Sequence, residues 1–435
     1  MDFGAAGGNF LEQLLGDLLS LMGGMPGAGA GSRVDLARTL AQGVATGGQP
    51  EPNVDPAARM ELEQLVRVAE LHVAELTGMS VTASGAPVTV VADTPGAWAR
   101  RTVEDWRFLL DAMTEAPPLP PGGAPGSPAP GETGTTAPAG VEPAGPVEGL
   151  GLADLDEEPA AAANPADLVA RFATTMGPMM AALQFGSAVG HLAQTTLGQF
   201  EVPVPRDGGA LHIVPANLTR FAEQWSLPPD QVGLWVCVRD LTVLAVYNRP
   251  GVASRMRELL VSVLRDNAQD AAAMLLRFEG LDPSDPETVQ RLFTDPQSLL
   301  GDEPLPTARR SDDEVTAAVA ALFGYVEHVV ELAGTRLLGG QGAVAEAWRR
   351  RQVARETNER AAEALLGLDL GPTLVDRGAA FVRGVVDRVG DAGLARLWTS
   401  GRTLPTPSEL DAPGLWLERI DLDDESTGGT PPAGH

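Results

Sequence analysis

The chain has 435 residues, 44% of them hydrophobic, which allows a sizeable core and excludes a wholly disordered protein. Its formal charge of −27 argues against nucleic acid and anionic membranes as partners, because both repel an acidic surface. The single cysteine, Cys237, excludes an internal disulfide and suits a reducing compartment. No secretion signal is recognisable near Asp2, so we expect a cytoplasmic protein.

Composition divides the chain into five regions. These are a Gly/Met-rich leader with a short amphipathic helix (1–30), an N-terminal helical region (31–115), a Pro/Gly/Ala-rich insertion (116–163), the main helical domain (164–420) and an acidic tail (421–435). The insertion and the tail have too few apolar side chains to offset the entropy of ordering, so both are predicted to be disordered. The insertion either separates two helical subdomains or loops out of one.

Helical spacing of apolar residues predicts that most of the remaining chain is α-helical. The predicted helices are 56–77, a helix capped by Thr94, then 165–198, 216–225, 228–247, 252–279, a short helix from Ser284, 312–338, 343–366, 375–389 and 392–399. Strand signals are sparse, and the candidate strands are 88–91, 201–204 and 211–214. The most membrane-like window, 172–200, contains several polar side chains and is interpreted as a buried helix of a soluble protein.

The predicted helix 228–247 is apolar on nearly every face and should be central, yet Arg239 and Asp240 stand in its middle. Buried charges must be paired or functional, because an unpaired buried ion is costly. A zincin uses such a helix to present two zinc-binding histidines four residues apart, with a glutamate after the first. The corresponding residues here run from Arg239 to Val243. Arg cannot deprotonate to bind a cation and Val has no donor atom, whereas Asp240 could still act as a base.

Five stretches carry a resemblance to a known family. They are RVDLARTLAQ (33–42), LWVCVRDLTVLAVY (234–247), FGYVEHVVE (323–331), LLGLDLGPTLVDRGAAFVRGVV (365–386) and LWTSGRTLPTPSELDAPGLWLERI (397–420). In these stretches the chain resembles the actinobacterial family of zincin-like, zinc-dependent metalloproteases or hydrolases, some of which are linked to deazaflavin-coenzyme biosynthesis. The resemblance implies a mainly α, zincin-like multi-helix domain with few short strands. It also implies a zinc site with HExxH on the central helix and a downstream Glu as the third ligand.

The chain departs from that pattern at all three ligand positions, which hold Arg239, Val243 and Phe323. Some branches of the family already carry Arg at the first position, so Val243 and Phe323 are the more telling changes. We therefore expect neither bound zinc nor another cofactor, and no catalytic residue at the degenerate motif. The polar candidates that remain are Asp240, Glu327 and His328.

Several other polar side chains have competing interpretations. Glu327 and His328 are either remnants of the support for a metal site or a charge pair for Arg239. Alternatively, Glu327 neutralises Arg239 or lies on the surface, with His328 packed as an ordinary imidazole. Cys237 is interpreted as a small buried residue, because a nucleophilic thiol needs an accessible, electropositive setting. The arginine run 349–351 alternates with acidic residues and is predicted to be a solvated helix face.

The favoured hypothesis is a non-catalytic relative of these metallopeptidases that acts as a scaffold or binding protein. Its partner would be a protein or peptide, with no nucleic acid and no stable membrane insertion. A second hypothesis is an active hydrolase or metallopeptidase that uses a non-standard site built from Asp240, Glu327 and His328. A third, membrane association through the leader helix and the helix at 172–200, has weaker support.

Overall fold

The computed structural model describes residues 30–114, 165–278, 306–337, 342–355 and 360–428. The predictions for the leader up to residue 29, for most of the insertion, for the short helix from Ser284 and for the last residues of the tail lie outside these ranges.

The described chain is almost entirely helical, which confirms the predicted fold class. In chain order the elements are α1 (Ala30–Thr46), α2 (Pro56–Thr77), β1 (Val90–Ala92), α3 (Pro95–Asp105), α4 (Arg107–Thr114), α5 (Pro165–Thr195), β2 (Leu211–Ile213), α6 (Pro215–Trp225), α7 (Pro229–Tyr247), α8 (Val252–Phe278), α9 (Pro306–Leu337), α10 (Gly342–Ala354), α11 (Ala361–Leu365), α12 (Pro372–Val389), two 3-10 segments (Asp391–Trp398 and Gly401–Thr403), α13 (Pro407–Asp411) and α14 (Pro413–Gly428).

Local capping signals explain where several helices begin and end. The side chain of Asp55 accepts from the backbone N–H of Ala57 at the start of α2, and Gly78 ends that helix with a positive φ of 65°. Thr94 caps α3 as predicted, because its hydroxyl accepts from the N–H of Ala97. A capping box formed by Thr406 and Glu409 starts α13, an element that the sequence prediction missed.

The N-terminal region and the main domain share one hydrophobic core. Buried side chains of α1 to α4 belong to the same cluster as those of α5 to α14. This arrangement favours the interpretation that 116–163 is an insertion within one folded unit. Helix α7 lies at the centre, as predicted, and every residue from Val232 to Tyr247 is buried.

Strand structure within the described ranges is limited to β1 and β2. They pair in parallel, with Val90 opposite Leu211 and Ala92 opposite Ile213. The strand predicted at 201–204 is wrong, because this buried segment has no regular structure. Its backbone is bonded by a side chain of α7 instead: the hydroxyl of Tyr247 donates to the carbonyl of Pro203 at 2.5 Å.

Three other boundaries differ from the prediction. The helix predicted at 343–366 is divided, because α10 ends at Ala354 and α11 begins at Ala361. The segment predicted as a helix at 392–399 is a 3-10 helix. Helix α14 continues to Gly428, past the predicted start of a disordered tail at residue 421.

Helices α9 and α12 cross at glycines. A Cβ atom on Gly324 would overlap the backbone of Gly378, and a Cβ on Gly378 would overlap the carbonyl of Ala320. Only glycine permits this approach of the two backbones, which are thereby held in direct contact. The crossing fixes Phe323, the neighbour of Gly324, in its place near α7.

Among the described helices, one segment has the length and composition to cross a membrane. It is Asp312–Arg336 in α9, with a mean hydropathy of 1.4, and 72% of its apolar window is buried inside the fold. Such burial is typical of the core helix of a globular protein. The window at 172–200 forms α5, where Gly186 and Gly190 lie against the backbone of α1.

Candidate functional site

The guanidinium of Arg239, in the middle of α7, is enclosed by aromatic rings. Its central carbon lies 5.0 Å from the ring centre of Trp348, 5.2 Å from that of Phe323 and 5.9 Å from that of Trp235. These rings come from α10, α9 and α7. A desolvated cation over aromatic faces is stabilised by about 2 kcal/mol or more. Two of the three degenerate positions, Arg239 and Phe323, are therefore in direct contact.

The third degenerate position, Val243, lies one turn further along α7 and is fully buried. Arg239 is 6% exposed and Phe323 is 4% exposed. All three residues thus belong to the packed interior, whereas a peptidase must admit a substrate to the corresponding positions.

Few hydrogen-bond acceptors serve the Arg239 guanidinium. Nη1 donates to the backbone carbonyl of Phe200 at 3.4 Å, and the buried Nε has no acceptor. In the described part of the chain, no carboxylate oxygen lies within 4.0 Å of the guanidinium nitrogens. The pairing of Arg239 with Glu327, which the sequence left open, is thus not formed, and Glu327 pairs with Arg349 at 3.7 Å instead.

Asp240 takes the place of the motif glutamate, and its carboxylate binds backbone rather than facing an open site. The residue is 1% exposed, and Oδ2 accepts from the N–H of Gln199 at 2.5 Å. Burial raises the pKa of Asp240 to about 6, opposed by the charge of Arg239 and by the N–H groups of Gln199 and Phe200. A Cβ atom on Gly198 would overlap this carboxylate, so the neighbouring chain requires glycine there. Asp240 thus anchors the irregular segment that follows α5.

Glu327 and His328 are each bonded to a partner of their own. Oε2 of Glu327 lies 3.7 Å from Nη2 of Arg349, and Nε2 of His328 lies 2.9 Å from Oδ1 of Asp391. Within the described ranges, no hydrogen bond or ion pair joins Asp240, Glu327 and His328 to one another. The structure therefore does not link the three residual polar candidates into a catalytic arrangement.

A small polar cavity lies beside the enclosed guanidinium. Its volume is about 50 Å³, and its walls come from the segment after α5 and from α7, α9, α10 and α12. The charged residues that line it are Glu201, Arg239, Glu327, Arg349 and Asp376. The space between the two motif helices is thus filled by aromatic rings around a cation, with a narrow polar cavity at its edge.

Comparison with known proteins agrees with this architecture. Residues 33–417 match the family model of the zincin-like metallopeptidases. The chain belongs to this family. A crystal structure of a candidate hydrolase with a novel fold, from Chloroflexus aurantiacus, resembles this zincin-like chain with a TM-score of 0.50 and 19% sequence identity. The match covers 88% of this chain and 97% of the other, and at that identity it supports the fold alone. No curated protein matches the sequence.

The residues at the degenerate motif of this zincin-like chain do not fit zinc. Zinc sites in proteins are built from thiolate, imidazole and carboxylate groups, whereas guanidinium, isopropyl and phenyl groups stand here. Among the described side chains, no group of three or more His, Cys, Asp or Glu is placed to hold a metal ion. Cys237, two residues before Arg239, is fully buried, and burial raises the pKa of its thiol.

Sequence reasoning missed a buried ion network beside the site. Glu201 is 5% exposed, and its Oε2 lies 3.4 Å from Arg351 and 3.3 Å from Arg355. Arg355 also pairs with Glu363, whose pKa is raised by burial although Arg355 opposes the rise. The predicted solvated face of the run 349–351 is therefore wrong for Arg351, whose side chain is 12% exposed. A usable signal was the spacing of Trp348, Arg351 and Arg355, which places an aromatic ring and two arginines on one helix face.

A second buried polar cluster lies where β1 and β2 end. Nδ1 of His212 is hydrogen-bonded to Oδ2 of Asp93 at 2.7 Å. Nearby, Arg206 lies over the rings of Trp98 and Trp106 and donates to Asp105 at 3.2 Å. Burial lowers the pKa of Arg206 to about 10, opposed by Asp105. No motif in the sequence marks these residues, which are brought together by strand pairing and by α3.

Proposed function

We propose that this zincin-like chain is a non-catalytic scaffold or binding protein for a protein or peptide partner in the cytoplasm, without zinc or another cofactor. The observation that carries the proposal is the Arg239 guanidinium, held among Trp348, Phe323 and Trp235 at the first ligand position of the family motif. Its fixed positive charge repels a divalent cation and offers no lone pair to one.

The state of Asp240 supports the same proposal. A peptidase of this family would use the acidic residue after the first ligand to activate a metal-bound water. Here that carboxylate is buried and accepts backbone N–H groups instead. Its role in this chain is to hold the segment after α5 against α7.

An active hydrolase with a non-standard site is the alternative. The observation in its favour is the polar cavity, where Glu327 lies beside Arg349 and Asp376. A water in that cavity would need a free base, and Glu327 is already near a guanidinium. Substitution of Glu327 therefore tests whether the chain is an active hydrolase.

Elemental analysis and a peptide-library screen test the proposal on the full chain purified without a metal-binding tag. We expect far less than one zinc per chain and no cleavage of the library. Stoichiometric zinc that survives dialysis against a chelator would overturn the proposal. Cleavage that is lost in both Asp240→Ala and Glu327→Gln, and kept in the surface variant Glu346→Gln, would establish the hydrolase instead.

A further inference from the structure

The cavity beside Arg239 has the properties of a small anion site. We infer that it binds a carboxylate group of a peptide or protein partner, an inference that rests on the proposed binding function and names the chemistry recognised. The carboxylate would lie between Arg239 and Arg349, which line the same cavity.

The buried guanidinium of Arg239 has unused hydrogen-bonding capacity. A guanidinium carries five N–H donors, and the described residues offer Arg239 one acceptor, at 3.4 Å. The surrounding rings attract its charge but supply no conventional acceptor oxygens. A buried donor without an acceptor is unfavourable, and a charged acceptor forms the strongest hydrogen bonds with it. The carboxylate of Asp240 already balances the charge of Arg239, so what an incoming carboxylate would supply is the missing acceptor.

The small size of the cavity favours a small anionic group. Its volume is about 50 Å³. A carboxylate has three heavy atoms, whereas a phosphate group has five. The cavity therefore suits the end of a chain or of a side chain, with the rest of the partner outside it.

Among the described residues, the other charges of the cavity leave Arg239 without a carboxylate partner within 4.0 Å and Arg349 with one long ion pair. Glu201 is already neutralised by Arg351 and Arg355. Asp376 is exposed on α12. Glu327 lies 3.7 Å from Arg349, whose side chain is 62% exposed, a long contact that a ligand carboxylate would replace. The carboxylate of Glu327 thus lies beside Arg349, where the partner's carboxylate would bind.

Tryptophan fluorescence provides a direct titration, because Trp348 both lines the cavity and contacts Arg239. The probes are acetyl-Ala-Ala with a free C-terminus, its C-terminal amide, acetyl-Glu-Ala amide and inorganic phosphate. We expect saturable binding of at least one carboxylate peptide. The amide should bind about tenfold more weakly or worse, because a charged hydrogen bond is lost. Phosphate should also bind about tenfold more weakly or worse, because the larger group does not fit the cavity. The two carboxylate peptides distinguish a chain terminus from an acidic side chain.

Matched variants locate the binding. Arg239→Met keeps the volume within the aromatic rings, and Arg349→Gln changes a largely exposed side chain whose loss the fold tolerates. Each should weaken carboxylate binding about tenfold or more, Glu327→Gln should tighten it, and the control Arg350→Gln, which removes an exposed pair with Glu346, should leave it unchanged.

The inference would be overturned if neither carboxylate peptide bound more tightly than acetyl-Ala-Ala amide, or if Arg349→Gln left the binding unchanged. These titrations are separate from the zinc and cleavage assays. The carboxylate site can therefore fail while the chain remains non-catalytic, and it can hold in a chain that cleaves peptides.

Discussion

The ionisation of Asp240 gives this fold a definite dependence of stability on pH. Its pKa is about 6 in the folded chain, against an ordinary value of 3.8. Between pH 4 and pH 6 the folded protein therefore keeps a proton that the unfolded chain has released. Unfolding then releases protons, so the contribution of Asp240 to stability falls as the pH rises through this window. Above about pH 7 the contribution is constant, because the carboxyl group is then ionised in both states.

The size of the effect follows from the difference between the two pKa values. One pKa unit corresponds to about 1.4 kcal/mol, so the change from 3.8 to about 6 lowers the free energy of unfolding by about 3 kcal/mol. No allowance for solvent screening is needed, because Asp240 is 1% exposed. The change Asp240→Asn keeps the size of the side chain and removes the titration.

Urea unfolding of the wild type and of Asp240→Asn at pH 4, 5, 6 and 7 isolates this one group, because all other carboxylates cancel in the difference. We expect the stability of the wild type relative to the variant to fall by about 2 kcal/mol from pH 4 to pH 7, because part of the total of about 3 kcal/mol is already lost at pH 4. The exposed Asp376→Asn should give a flat difference, within about 0.5 kcal/mol. A difference that rises with pH would refute the reasoning, since attraction to Arg239 would then outweigh the cost of burial.

Three further changes probe the packing around the site. Gly378→Ala should lower the free energy of unfolding by about 2 kcal/mol or more, because its Cβ overlaps α9. The control Gly342→Ala, whose Cβ lies in open space, should change it by less than about 1 kcal/mol. Equal effects of the two changes in urea unfolding would contradict the close crossing of α9 and α12. Arg355→Met should cost about 3–5 kcal/mol, because it removes the ion-pair partner of the buried Glu363 and leaves Glu201 with Arg351 alone. The exposed Arg350→Met should cost under about 0.5 kcal/mol in the same assay. Cys237 should react with a thiol reagent only after unfolding, since burial raises its pKa, and rapid reaction of the folded protein would show that α7 is accessible.

Much of the fold could be predicted from local signals. Helix α2 has a capping residue, an apolar stripe and a terminal glycine, and its predicted bounds are confirmed. Prediction failed where distant residues decide the structure. The strand expected at 201–204 is bonded by an α7 side chain instead of a neighbouring strand, and the break after α10 follows Arg355, whose partner Glu363 lies on the next helix. In both cases tertiary contacts override local propensity.

The candidate site was only partly visible in the sequence. The family resemblance identified Arg239, Val243 and Phe323, and the structure places the first and third in contact. No sequence feature near Trp348 indicated that its ring would cover the guanidinium of Arg239. The partial burial of Arg351 could not be predicted for the same reason, because its partner Glu201 is 150 residues away in the chain.

The three changed ligand positions make physical sense as a set. A catalytic zinc site needs ligands whose lone pairs converge on the ion and a channel that admits water. Loss of one ligand alone would leave an unfilled cavity lined by buried polar groups, which is unfavourable. Phe323 and Val243 fill such a volume with apolar groups, and Arg239 supplies a permanent cation to the carboxylate of Asp240 beside it. The aromatic rings stabilise that cation but provide no acceptor oxygens, so N–H groups of Arg239 remain without hydrogen-bond acceptors. What Arg239 offers at this position is therefore a donor of hydrogen bonds to anions, the reverse of what a catalytic metal centre requires of its protein.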